Sequence, residues 1–128
     1  MIMLPLASTW PPLPCPDSIR PMLATIRGIK TLGDMLVSAA SAWEIAIKSA
    51  KGALRLAEPP DRLLPAVRAR YGFESLAISE ESALHIIKLP PLHADPFDRM
   101  LVSQAIVHGL TIVTPDPLVT QYPARTLW

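Results

Sequence analysis

Apolar and polar positions follow two rhythms along this 128-residue chain. Short apolar or alternating runs of strand length, Met35-Leu36-Val37, FESLAI (residues 73–78) and LTIVT (110–114), are separated by stretches with helical spacing. Gly33-Asp34 reads as a turn before the first of these runs, and Ser38 or Ser41 is placed to cap a helix through Trp43-Glu44-Ile45 that Gly52 stops. Pro59-Pro60 precedes a helix through Asp61 that Pro65 interrupts and Gly72 ends. Ser79, with Glu80 and Glu81 in the first turn, opens a helix closed by Pro90-Pro91. Asp95 caps a helix that begins at Pro96, a favourable first position for proline, and runs to Val107 with Gly109 as its stop. Met100, Leu101, Val102, Ala105 and Ile106 form its core face. The terminal ARTLW reads as an edge strand. Strands alternating with helices predict an α/β fold with a mostly parallel sheet.

The beginning of the chain breaks this rhythm. Residues 1–16, MIMLPLASTWPPLPCP, carry no charge and five prolines, leaving room for a short strand at Met1–Leu4 followed by an irregular run. Those prolines also forbid a membrane-spanning helix, which needs about 20 apolar residues. A basic start and a small-residue cleavage site, the marks of a signal peptide, are both missing. A soluble, cytoplasmic protein of one domain, residues 1–128, is the expectation. Half of the residues are hydrophobic and 18% are charged, which excludes an intrinsically disordered chain. The net charge of +1 provides no broad basic field for nucleic acid, so any RNA contact is local. The single cysteine, Cys15, excludes a disulfide framework, and with no base beside it in sequence it is a poor nucleophile.

The acidic residues change the picture. In an open parallel sheet, sites form beyond the carboxyl ends of the strands. Glu44 lies in the helix after the first run, Asp95 and Asp98 open a later helix, and Asp116 follows LTIVT in Thr114-Pro115-Asp116. Carboxylates gathered at one edge repel one another unless a hard cation neutralises them, and oxygen-only sites suit Mg²⁺ or Mn²⁺. Each acid also has an ordinary structural use. Ser41 to Glu44 and Asp95 to Asp98 have capping-box spacing, Glu44 can pair with Lys48, and Asp116 is a normal turn residue.

Three stretches go further. MLVSAASAWEIAIKSAKGALRL, LPPLHADPFDRMLVSQAIVHGLTIVTPD and the terminal strand ending in Trp128 resemble the PIN-domain toxins of the VapC type, in the family's order and spacing, over residues 34–128. The resemblance implies a compact α/β/α three-layer domain and a metal-dependent endoribonuclease of a type II toxin–antitoxin pair. A small VapB-like antitoxin, an RNA substrate and a homodimer would be its partners, and Mg²⁺ or Mn²⁺ its cofactor. By the same resemblance Glu44, Asp98 and Asp116 are catalytic and hold the metal, and Asp95 supplements them. Thr114 is the hydroxyl beside Asp116, and Arg99 pairs with an acid or meets a phosphate.

The family's first strand ends in an aspartate that binds metal, whereas residues 1–10 here contain no aspartate, glutamate or histidine. Ser8 and Thr9 offer only neutral oxygens, and Pro5 falls where a central strand needs its N–H. A displaced start or frameshift, a toxin that has lost its metal site, or relocation of the ligand to Asp17 or Asp34 would each account for this. The competing function is therefore a catalytically impaired PIN domain that binds an antitoxin or dimerises. Of the histidines, His85 reads as a packed or surface residue and His108 as a helix C-terminal residue. His93, close to Asp95, reads as a loop residue within reach of substrate or metal.

Overall fold

The computed structural model describes residues 2–3, 35–114 and 116–127. The expectations for the proline-rich run, Cys15, Asp17, Asp34 and the missing strand-end acid lie outside these residues. Five strands form one sheet: β1 (Ile2–Met3), β2 (Met35–Ser38), β3 (Glu74–Leu76), β4 (Thr111–Val113) and β5 (Arg125–Leu127). Their spatial order is β3-β2-β1-β4-β5 and every pairing is parallel. The first two-residue strand is central, with Ile2 opposite Met35 on one side and Thr111 on the other. Four helices connect the described strands: α1 (Ala39–Ala50), α2 (Pro60–Tyr71), α3 (Glu80–His85) and α4 (Pro96–His108). Single 3₁₀ turns follow α3 at Ile86–Lys88 and β4 at Val119–Gln121. The strand order runs outward from β1 to β3 and then returns to β4, and because parallel crossovers are right-handed as a rule, this reversal puts α1 and α2 on one face and α3 and α4 on the other, in α/β/α layers.

Local chemistry explains the boundaries. Glycines in the left-handed conformation, Gly72 at φ 72° and Gly109 at φ 65°, end α2 and α4 where a side chain would be strained. Helix α2 runs through Pro65 rather than breaking there. Pro65 is exposed in the middle of the helix, so the fold forgoes one backbone hydrogen bond instead of the whole element. The main core joins Leu36 of β2 and Ile112 of β4 to Leu101, Val102 and Ala105 of α4, with Leu89, Leu110, Val119 and Tyr122 around them. Met100 and Ile106, also expected in the core face of α4, are only partly buried. Among the described residues, no helix is long and apolar enough to cross a membrane.

Of the two serines placed to cap α1, Ser38 does so. Its Oγ accepts from the Ala40 amide at 3.0 Å and donates to Gln104 Oε1 at 2.5 Å, and Gln104 Nε2 donates to the Ala77 carbonyl. This buried chain of bonds ties the end of β2 to α4 and to the loop after β3. Ser38→Ala removes a cap and leaves a buried amide oxygen unpaired, so it should lower stability by about 2 kcal/mol. Urea denaturation checks this, and a loss below about 0.5 kcal/mol would contradict it.

Candidate metal centre at the carboxyl edge of the sheet

The strand order reverses direction between β1 and β4, and a crevice at such a switch point is where open parallel sheets place ligands. Asp116 lies just beyond β4. Its Oδ1 accepts from the Leu118 amide at 2.8 Å, and its own amide donates to the buried Thr114 Oγ1 at 3.1 Å. Thr114 thus shapes the turn that carries Asp116. Asp98 lies in the first turn of α4 and is buried. Asp95 caps that helix, accepting from the Phe97 amide at 2.8 Å.

Between Asp98 and Asp116 stands His93. Its Nε2 is 3.2 Å from Asp98 Oδ2 and 3.1 Å from Asp116 Oδ2. Its Nδ1 accepts from the Asp95 amide at 3.0 Å, and its backbone N–H donates to the Tyr122 hydroxyl at 2.8 Å. One donor atom from each of His93, Asp98 and Asp116 lies within 4.8 Å of the others, a span that one metal ion can bridge. The geometry brings two of the expected ligands together around a histidine whose position in a loop concealed its importance. A signal was present: His93 lies two residues before the capping Asp95, where a cap's backbone N–H can turn back onto an imidazole.

Glu44 is buried on α1, and its carboxylate raises the proton affinity of Asp98. Because Ser38 is the cap, Ser41 to Glu44 does not form the capping box that its spacing suggests. The Lys48 ammonium pairs with Glu44 Oε1 at 2.7 Å, but not along a hydrogen-bonding direction, so this buried oxygen has no hydrogen-bond donor. Lys48 balances the Glu44 charge, and Glu44 stands near Asp98 without joining the group of His93, Asp98 and Asp116 whose donor atoms come within reach of one ion. The oxygen-rich donor set fits a divalent metal, with Asp98 and Asp116 at its centre and Glu44 and Asp95 contributing charge.

Arg99 departs from expectation. Its guanidinium donates to the Pro90 carbonyl at 2.9 Å, the Ile86 carbonyl at 3.2 Å and the Tyr122 hydroxyl at 3.1 Å, rather than to a carboxylate. Each of these carbonyls also accepts a backbone N–H, from Leu89 on Ile86 and from Leu92 on Pro90, and the planar fork fills their remaining lone pairs, tying the segment after α3 to α4. Arg99 thereby also holds Tyr122, which holds His93. His85 is half-buried on α3, and His108 ends α4 with Nε2 3.4 Å from Ser82 Oγ, so both lie apart from the acidic group.

Burial above all, then the neighbouring Asp95, with smaller contributions from Glu44 and Asp116, pushes Asp98 from an ordinary 3.8 up to about 6, against an opposing pull from His93. The folded state therefore binds this proton more tightly than the unfolded chain does. Without metal, the charged form lowers stability above about pH 6, and the deficit is relieved as pH falls from 6 towards 4. The full effect is about 3 kcal/mol. In chelator-treated buffer Asp98→Asn should be more stable than the parent at pH 7.5 and lose roughly half of that advantage by pH 5. Denaturation of the two chains at both pH values checks the sign, and an equal gap at both would contradict it.

Residues 17–123 match the PIN domain family, a span that contains Glu44, Asp95, Asp98 and Asp116. No curated protein matches the chain in sequence. In three dimensions it is similar to a chain of the DNA-bound VapBC crystal structure from Salmonella typhimurium, with 21% identity and a TM-score of 0.62 over 98% of this chain and 95% of that one. It is also similar to a chain of FitAB bound to an IR36 DNA fragment, with 16% identity and a TM-score of 0.56 over 99% and 94% of the two chains. These structures share the parallel-sheet architecture described above. With a family match across most of its length and its acids at the switch point of the sheet, the chain belongs to the PIN-domain family.

Proposed function

We propose that the protein is a divalent-metal-dependent endoribonuclease and the toxin of a type II toxin–antitoxin pair. The observation that carries this reading is the approach of buried Asp98 to half-buried Asp116 at the carboxyl edge of a PIN-family sheet, with the buried Glu44 carboxylate near enough to raise the proton affinity of Asp98. Asp98 and Asp116 hold Mg²⁺ or Mn²⁺, Glu44 helps to orient the site, and Asp95 adds negative charge from the helix cap. A divalent ion held there neutralises a phosphodiester and lowers the pKa of an attacking water. The protein's own part is to fix the carboxylates. The Leu118 amide and the Thr114 hydroxyl set the turn bearing Asp116, and the first turn of α4 presents Asp98. RNA strands cut in this way end in 3′-hydroxyl and 5′-phosphate groups.

A small antitoxin and a second copy of the chain are the proposed protein partners, in a soluble cytoplasmic complex. The likeness to chains of VapBC and FitAB supports this, as do Leu84 and Ile87, 61% and 85% exposed, which offer apolar area for a partner to cover. An RNA cleavage assay on the full chain with Mg²⁺, Mn²⁺ or chelator tests the reading. Metal-dependent internal cuts that Asp98→Asn abolishes support it. Antitoxin binding without cleavage at any metal concentration supports the impaired, interaction-only domain instead.

A further inference from the structure

We infer that His93 is a positioning residue that sets the two metal-binding carboxylates through its Nε2–H, and not a ligand of the ion. The inference rests on the proposed metal site and concerns how this chain prepares it.

Distance alone makes His93 look like a third ligand, since its Nε2 lies 3.1 and 3.2 Å from the two carboxylate oxygens. The other ring nitrogen decides otherwise. Nδ1 accepts the Asp95 backbone N–H at 3.0 Å, so it carries no proton. A neutral imidazole has one N–H, and here it must be on Nε2. Ligating histidines show the opposite arrangement, binding metal through a bare nitrogen while the other ring nitrogen donates to a carbonyl or carboxylate. For Nε2 to bind metal, the ring would have to become an imidazolate or lose its bond to Asp95.

The imidazole is also secured at its back. The His93 amide donates to Tyr122, whose hydroxyl is held in turn by Arg99, and Arg99 is fixed to the carbonyls of Pro90 and Ile86. The ring therefore presents one N–H from a fixed frame. Asp116, beyond β4, accepts it at Oδ2, and Asp98, on α4, stands beside the same proton. Asp116 Oδ1 is already engaged by the Leu118 amide, so both of its oxygens are oriented. A single side chain from the intervening loop thus brings carboxylates from two separate elements to one point. Preset ligands of this kind spare the ion the cost of ordering them, and loss of an outer partner commonly weakens metal affinity 10- to 100-fold.

The test is Mn²⁺ binding to the full-length protein, followed by calorimetric titration and by the nitrogen hyperfine signal in pulsed electron paramagnetic resonance. His93→Ala should weaken Mn²⁺ binding about 10- to 100-fold. His93→Gln, whose amide can donate but has no imidazole nitrogen, should recover most of the loss. The parent should show no directly coordinated histidine nitrogen. A strong nitrogen coupling in the parent that vanishes in His93→Ala would make His93 a ligand and overturn the inference. So would unchanged or tighter binding in His93→Ala, the latter showing that the ring excludes the ion. An equal loss in His93→Ala and His93→Gln overturns it as well, because the donated hydrogen bond would then not be what matters. If the parent binds no Mn²⁺, or Asp98→Asn binds it equally well, the metal site itself is wrong and the inference falls with it.

Discussion

Asp98→Asn should lower metal-stimulated RNA cleavage by on the order of 100- to 1000-fold while leaving the fold intact. The side chains are nearly the same size, so α4 and its packing are preserved. What changes is charge. The parent places a buried carboxylate beside Asp116, and a divalent ion gains from both, whereas the amide offers one neutral oxygen. The substitution is informative because its effects have opposite signs. It removes the buried charge that desolvation first, and the neighbouring acids second, lift to a pKa of about 6, so the metal-free protein becomes more stable at neutral pH as the nuclease activity is lost. A merely structural aspartate would lose stability and activity together. Cleavage rates and denaturation curves on the same two preparations distinguish these cases, and retained activity in Asp98→Asn would remove the basis of the proposed chemistry.

Arg99→Ala is expected to cost about 3 kcal/mol or more in stability. Truncation strips hydrogen bonds from two backbone carbonyls and from the hydroxyl of buried Tyr122. Each acceptor keeps an amide partner, Leu89 for Ile86, Leu92 for Pro90 and His93 for Tyr122, so the loss is of three further bonds to a charged donor, each worth about 1 kcal/mol or more. Arg99→Lys should recover little, since a single ammonium cannot span three acceptors from one fork. The damage should also spread to the site, because Tyr122 supports His93. Urea unfolding of both variants measures the first effect, and Mn²⁺ affinity measures the second. Near-parent stability in Arg99→Ala would show that solvent replaces the fork.

The fold was legible in the sequence where local signals agreed with one another. Asp95, Pro96 and Gly109 marked α4 almost to the residue, and Ser79 with Glu80 and Glu81 marked α3, because caps and left-handed stops are decided by neighbouring atoms. Pro65 misled for the opposite reason. Its local penalty was real, but at an exposed position it cost one backbone bond without ending the helix. The role of Arg99 was not legible at all. Three acceptors from the segment after α3 and from Tyr122 meet at its guanidinium, and sequence separation hides that convergence. Asp98 and Asp116 could be proposed together because parallel topology sends strand ends to one edge. His93 belongs to neither a strand end nor a helix, so its place between them emerged only with the loop in three dimensions.

The proposed metal centre requires that Asp98 and Asp116 share one divalent cation. Crystals of the full-length protein soaked in Mn²⁺, with diffraction recorded at the manganese absorption edge, test it directly. One anomalous peak is expected within coordinating distance of a carboxylate oxygen from each residue, at about 2.1–2.2 Å, with His93 Nε2 outside the first coordination shell. The same soak of Asp98→Asn should show that peak greatly reduced. A parent map with no peak between the two aspartates, or with manganese bound only elsewhere on the protein, would contradict it.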